Sequence, residues 1–173
     1  LTRYSVEAGI YDCLILPPFY YKNPKDEGLF AFFSEIIQKV ANEKLKIQIY
    51  HFPAVSQIPI SHKLIEMLLK EYPENITGIK DSSGDENNML SMCENFDDFD
   101  VYDGSETYFL PVLKAGGAGT ITATANITAK KCVEVYKAFN ENSDAVEKLQ
   151  HELSNERALL QKACSSVGFS SGL

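Results

Sequence analysis

Lys80 ends the apolar run Ile76-Thr77-Gly78-Ile79-Lys80 and is followed by Asp81-Ser82-Ser83-Gly84-Asp85. The run reads as a buried strand stopped by polar turn residues. An ammonium group loses its hydration in such a place. Desolvation favours the neutral amine, and a neutral amine can attack a carbonyl carbon. A second run, Leu45 to Tyr50, ends on a phenol shortly before Pro53. A phenol within reach of that amine could relay the protons of imine formation. For an isolated lysine the commoner outcome is a strand-end side chain with its head group in water. The elements around Lys80 favour chemistry.

Those elements alternate. Residues 1–8 read as the end of a helix stopped at Gly9. Tyr11 to Leu16 reads as a buried strand ended by Pro17-Pro18, and 26–42 as a helix with Leu29, Phe30, Phe33, Ile36, Ile37 and Val40 on one face. After the strand at 45–50, Ser61 is a candidate N-cap for a helix over 62–71. The strand at 76–80 precedes a helix over 85–95. Phe99 to Tyr102 is a short strand, 106–114 a helix stopped at Gly116-Gly117, and Gly119 to Thr124 a fifth strand. Helices over 129–140 and 143–163 follow, and the Ser/Gly-rich tail from Ser165 is expected to fray. Continuous apolar strands alternating with helices mean an α/β fold with a parallel sheet, either a (β/α)8 TIM barrel or a doubly wound sheet. Units of about 25–35 residues suit both. No glycine-rich phosphate loop follows a strand. Ala115-Gly116-Gly117-Ala118-Gly119 precedes one and reads as a helix cap and turn.

The 173 residues suffice for a packed core. A formal net charge of -8 disfavours nucleic acid and anionic membranes as partners. Cys13, Cys93, Cys132 and Cys164 lack metal-ligand spacing. Cys13 and Cys132 lie in apolar stretches and read as reduced core residues, which suits a cytoplasmic setting. The acidic cluster Asp97-Asp98 with Asp100 reads as a solvated turn, because its spacing is not that of a calcium loop. No metal site is expected. No run is long and apolar enough to span a bilayer, and the start has no signal-peptide pattern.

In parallel α/β folds chemistry gathers at the carboxyl ends of the strands. Here these ends are Pro17-Pro18-Phe19-Tyr20-Tyr21, Tyr50-His51-Phe52-Pro53, Lys80-Asp81-Ser82-Ser83, Asp103-Gly104-Ser105-Glu106 and Ile121-Thr122-Ala123-Thr124. In this order, together with Gly116-Gly117-Ala118-Gly119-Thr120, they resemble the dihydrodipicolinate synthase / N-acetylneuraminate lyase superfamily of class I pyruvate-dependent aldolases. The resemblance covers about residues 1–140, and the motifs are specific as a set. It implies a (β/α)8 barrel of which this chain holds about the fourth to eighth units, with 141–173 as C-terminal helix and tail. Lys80 would form an imine with pyruvate or a related 2-oxo acid, and Tyr50 would shuttle protons. Tyr20 would reach into a neighbouring subunit's site, in a homo-oligomer (dimer or tetramer). Gly104 and Ile121 would line the pyruvate pocket. His51 stands where the family usually has asparagine, and reads either as a substrate contact or as a structural histidine held within its loop. The partners implied are a small 2-oxo acid and an aldehyde, with no cofactor.

The chain also departs from the pattern. The first three strand-helix units are absent, and with them the Gly-Thr-Thr-Gly-Glu-type loop that holds the pyruvate carboxylate. The start looks like the middle of a helix, so the chain reads as part of a longer enzyme or as a truncated copy. Val55 stands where dihydrodipicolinate synthases usually carry an arginine, and Pro53-Ala54-Val55-Ser56 is more similar to the sialic-acid lyase branch. Two competing readings stay open. One is a non-catalytic family member acting as a binding or regulatory module. The other is an unrelated flavodoxin-type module, against which Pro17-Pro18 stands in the place of the phosphate loop.

Overall fold

The computed structural model describes residues 1–166. The chain divides into two compact units. The first holds residues 1–83 and 96–100, and the second 84–95 and, of the described residues, all from 101 onward.

The first unit opens with helix α1 (Thr2–Glu7), which Gly9 ends at φ +83°. Strand β1 (Asp12–Ile15), helix α2 (Asp26–Val40) and strand β2 (Lys46–His51) follow. A one-turn helix, α3 (Pro53–Ser56), leads to α4 (His62–Glu71) and strand β3 (Ile76–Asp81). The three strands are parallel, with β2 between β1 and β3. Leu29, Phe33 and Ile37 of α2, Ile47 and Ile49 of β2, Leu64, Ile65 and Leu68 of α4, and Ile79 of β3 are all buried and supply its core. The helix ends follow from local chemistry. Asp26 and Glu27 sit in the first turn of α2, where carboxylates complement the helix dipole. Ser61 caps α4, its Oγ accepting from Leu64 N at 3.0 Å and donating to Asp26 Oδ2 at 2.9 Å.

The second unit holds helix α5 (Glu86–Asn95), strand β4 from its second residue (Asp100–Asp103 in full), a 3-10 turn (Glu106–Tyr108), helix α6 (Phe109–Lys114), strand β5 (Gly119–Thr120), and helices α7 (Ala125–Asn140) and α8 (Val146–Ser166). β4 and β5 run parallel, with Tyr102 beside Gly119 and Asp103 beside Thr120. Phe109 and Leu113 of α6, Cys132 and Val135 of α7, and Leu153 of α8 form its apolar core. Gly116, at φ +95°, turns the chain after α6, as expected of a helix cap.

Several expectations need correction. The fifth strand stops at Thr120, because the hydroxyl of Thr122 turns back to accept a hydrogen bond from Ala125 N at 3.1 Å. α7 starts at Ala125, directly after that turn and four residues before 129. The helix read over 106–114 is a 3-10 turn followed by a short α-helix. β1 is not a fully buried strand: Asp12 and Leu14 are exposed and Cys13 only half-buried, since β1 pairs with β2 alone among the described residues. Ser165 and Ser166 continue α8, and the remainder of the expected frayed tail lies outside the described residues. Among the described residues, no helix is long and apolar enough to cross a membrane.

Candidate active site

β2 and β3 are aligned so that Tyr50 sits beside Lys80 and His51 beside Asp81. Side chains alternate along a strand, so each pair shares one face of the sheet and the two pairs lie on opposite faces. On one face, Lys80 Nζ donates to Tyr50 Oη at 3.2 Å and lies 4.2 Å from the centre of the phenol ring. Both side chains are half-buried. The Tyr50 ring stacks on Phe52, with centres 5.6 Å apart and planes 21° from parallel. That stacking restricts the phenol's rotation. The amine and phenol are therefore within direct proton-transfer distance, on rigid strand ends.

On the other face, His51 is 6% exposed and Asp81 0%. His51 Nδ1 lies 3.3 Å from Asp81 Oδ2, an ion-pair distance without the alignment of a hydrogen bond. Asp81 Oδ1 accepts from Ser83 N at 2.7 Å, and His51 O accepts from Ser82 N at 2.8 Å. Burial by itself raises the Asp81 carboxyl, but His51 and the Ser83 hydrogen bonds outweigh it and hold the group below the ordinary carboxylate range. A carboxylate follows the lysine and a histidine the tyrosine, and these two meet behind the sheet.

The other expected site residues occupy the predicted strand ends. Tyr20 lies in the loop after β1, 69% exposed, with its ring 5.9 Å from Phe19 and 4.7 Å from Tyr21. Gly104 follows β4 and Ile121 follows β5, both in the second unit. Among the described residues no group of three or more His, Cys, Asp or Glu side chains is placed to hold a metal ion.

The second unit contains a polar network that strand-end reasoning does not reveal. Glu106 is fully buried. Its carboxylate accepts from Thr124 Oγ1 at 2.5 and 2.7 Å, from Thr128 Oγ1 at 2.8 Å and from Arg157 Nη1 at 2.5 Å. Gln150 Nε2 donates to the Glu106 carbonyl at 2.7 Å. Burial alone would raise the Glu106 carboxyl, yet the threonine hydroxyls and the backbone bring it below its ordinary value. Close by, Asp103 Oδ1 accepts from Ser105 N at 2.9 Å and Thr120 Oγ1 at 3.0 Å, while its buried Oδ2 has no hydrogen-bond partner among the described residues. Burial pushes the Asp103 carboxyl up to about 7, with Glu106 adding to the rise.

Parallel strands alternating with helices, with an amine and a phenol at adjacent strand ends, define an α/β chain. The chain belongs to the Dihydrodipicolinate synthetase family, whose sequence profile matches residues 1–168. It is 32% identical over 184 residues to the 4-hydroxy-tetrahydrodipicolinate synthase of Methanococcoides burtonii, covering 99% of this chain and 61% of that protein. Its fold is similar to the crystal structure of dihydrodipicolinate synthase DapA-2 from Bacillus anthracis (TM-score 0.78, 26% identity, 99% of this chain and 60% of that one). It is also similar to the 2-keto 3-deoxygluconate aldolase from Picrophilus torridus (TM-score 0.80, 25% identity, 95% and 57%). The chain spans about half to three-fifths of the length of the curated relatives it matches.

Proposed function

We propose that this chain carries the lysine–tyrosine centre of a class I aldolase or lyase acting on pyruvate or a related 2-oxo acid. The observation that supports this most is the 3.2 Å contact between Lys80 Nζ and Tyr50 Oη at paired strand ends. The neutral amine attacks the carbonyl carbon, and the resulting carbinolamine loses water to give an imine. The protonated imine draws electrons from the adjacent carbon, which releases a proton and leaves an enamine. The enamine adds to the carbon of an aldehyde, and water then frees the product from Lys80. Cleavage runs through the same steps in reverse. Tyr50, whose hydroxyl lies 3.2 Å from the lysine nitrogen, gives and takes the protons of these steps.

Further roles are proposed on the family pattern. Gly104 and Ile121 line the 2-oxo acid pocket, and Tyr20 serves a neighbouring subunit's site in a homo-oligomer. The exposed aromatic loop at Phe19–Tyr21 supports that use of Tyr20. The free thiols of Cys13, Cys93, Cys132 and Cys164 support a reducing, cytoplasmic setting.

The test is borohydride reduction of the full-length protein in the presence of pyruvate, followed by peptide mass mapping. The expected result is a reduced pyruvyl adduct on Lys80. An adduct confined to another lysine, or none at all, overturns the reading. Binding of a 2-oxo acid without trapping would favour a non-catalytic binding module instead.

A further inference from the structure

The imine chemistry uses Tyr50 and Lys80 but assigns no task to the residue that follows each of them. We propose that His51 and Asp81 form a positioning pair that holds Tyr50 in register with Lys80 from the opposite face of the sheet. The inference rests on the imine reading of Lys80.

Four observations carry it. The β2–β3 register places His51 directly beside Asp81, as it places Tyr50 beside Lys80. Both side chains are more than nine-tenths buried, so the contact is not loosened by water. Their polar atoms lie 3.3 Å apart. Asp81 also accepts from Ser83 N, and Ser82 N donates to His51 O, so the turn leaving β3 is tied to β2 at the same point. A buried polar group without its partner is costly, so any slip of one strand end against the other is opposed. Neighbouring residues on a strand share backbone atoms. A shift at His51 or Asp81 therefore moves Tyr50 or Lys80, and the chemistry depends on their separation. Misplacement by about 1 Å can cost about 100-fold in rate.

A buried histidine could instead serve packing alone, and substitution separates the two roles. His51→Leu keeps an apolar side chain of similar bulk and removes the polar contact. His51→Asn is smaller but restores a donor toward Asp81. Asp81→Asn keeps the shape and removes the charge. The rate of Lys80 trapping by pyruvate and borohydride is measured in the full chain over a range of pyruvate concentrations, with thermal melting as the control for folding. We expect His51→Leu and Asp81→Asn to lower the maximal trapping rate about 10-fold or more. The pyruvate concentration at half-maximal rate should stay unchanged. His51→Asn should return to within about 3-fold of the native rate, a deficit smaller than one hydrogen bond. If His51→Leu does not fold, Asp81→Asn against His51→Asn carries the comparison. Native-like rates in His51→Leu and Asp81→Asn overturn the positioning role and leave the imine reading intact. So does a change confined to the half-maximal concentration, or a failure of His51→Asn to recover. Absence of any adduct in the unsubstituted chain sinks the imine reading itself.

Discussion

Replacing Asp103 with asparagine should flatten the pH dependence of stability between pH 5 and pH 8. Asp103 is fully buried, and burial pushes its carboxyl from the ordinary 3.8 up to about 7. The Ser105 N–H, the Thr120 hydroxyl and the Arg157 charge oppose that rise, and Glu106 reinforces it. In the unfolded chain the same group titrates near 3.9. Between these two values the unfolded chain has lost the proton and the folded chain still holds it. The unfolded state then binds fewer protons, so stability falls as pH rises, by about 1.4 kcal/mol per pH unit at the steepest. Integrated from pH 5 to pH 8, the loss is about 2–3 kcal/mol. Above the folded value both states are ionised and the dependence levels off. Asparagine does not titrate, and its carbonyl can still accept from Ser105 and Thr120. Urea denaturation of both proteins at pH 5 and pH 8 gives the comparison. The native protein should lose about 2–3 kcal/mol more than the variant over that interval. Equal losses would mean that the buried carboxyl is not held protonated, and the account of Asp103 would be wrong.

Three further outcomes are expected. Arg157→Leu leaves Glu106 as a buried anion without its cation and should cost about 3–5 kcal/mol in denaturant midpoint analysis; a loss near zero would show that the threonines suffice. Gly78→Ala places a Cβ 2.2 Å from Gln48 Oε1 and 2.3 Å from the Asp100 carbonyl oxygen. The backbone contact cannot rotate away, so thermal melting should show a destabilisation of about 1–3 kcal/mol or more. Ser61→Ala removes the cap on Leu64 N and should cost about 1 kcal/mol in the same assay, with no effect on Lys80 trapping.

Much of the first unit was legible because its signals are local. The runs at 45–50 and 76–80 are rich in isoleucine and end at polar turns, and β2 and β3 extend only a residue beyond them. Lys80 and Tyr50 could be paired on paper because both close such runs. The contact behind them could not. His51 meets Asp81 only through a register between strands 30 residues apart, which no local pattern encodes. Thr122 and Thr124 misled for a different reason. β-Branched residues signal a strand by shape, yet a threonine hydroxyl can also accept from the backbone in a turn or bind a carboxylate, and here the hydroxyls do both. Arg157 did leave a trace. It continues the spacing of Val146, Gln150 and Leu153 along α8, so the inward-facing stripe itself places a cation inside, but its acidic partner sits on a distant turn.

That distance bears on how the chain is made. Glu106 is synthesised 51 residues ahead of Arg157, and Thr124 and Thr128 emerge between them. A nascent chain that has released β4 and β5 but not the middle of α8 has an acid to bury and no base to bury with it. Long-range partners must wait for the ribosome, and exposed apolar surface persists meanwhile. The closing of the second unit therefore waits for α8, and a ribosome that pauses before the Arg157 codon prolongs the interval in which that unit is open to chaperones and proteases.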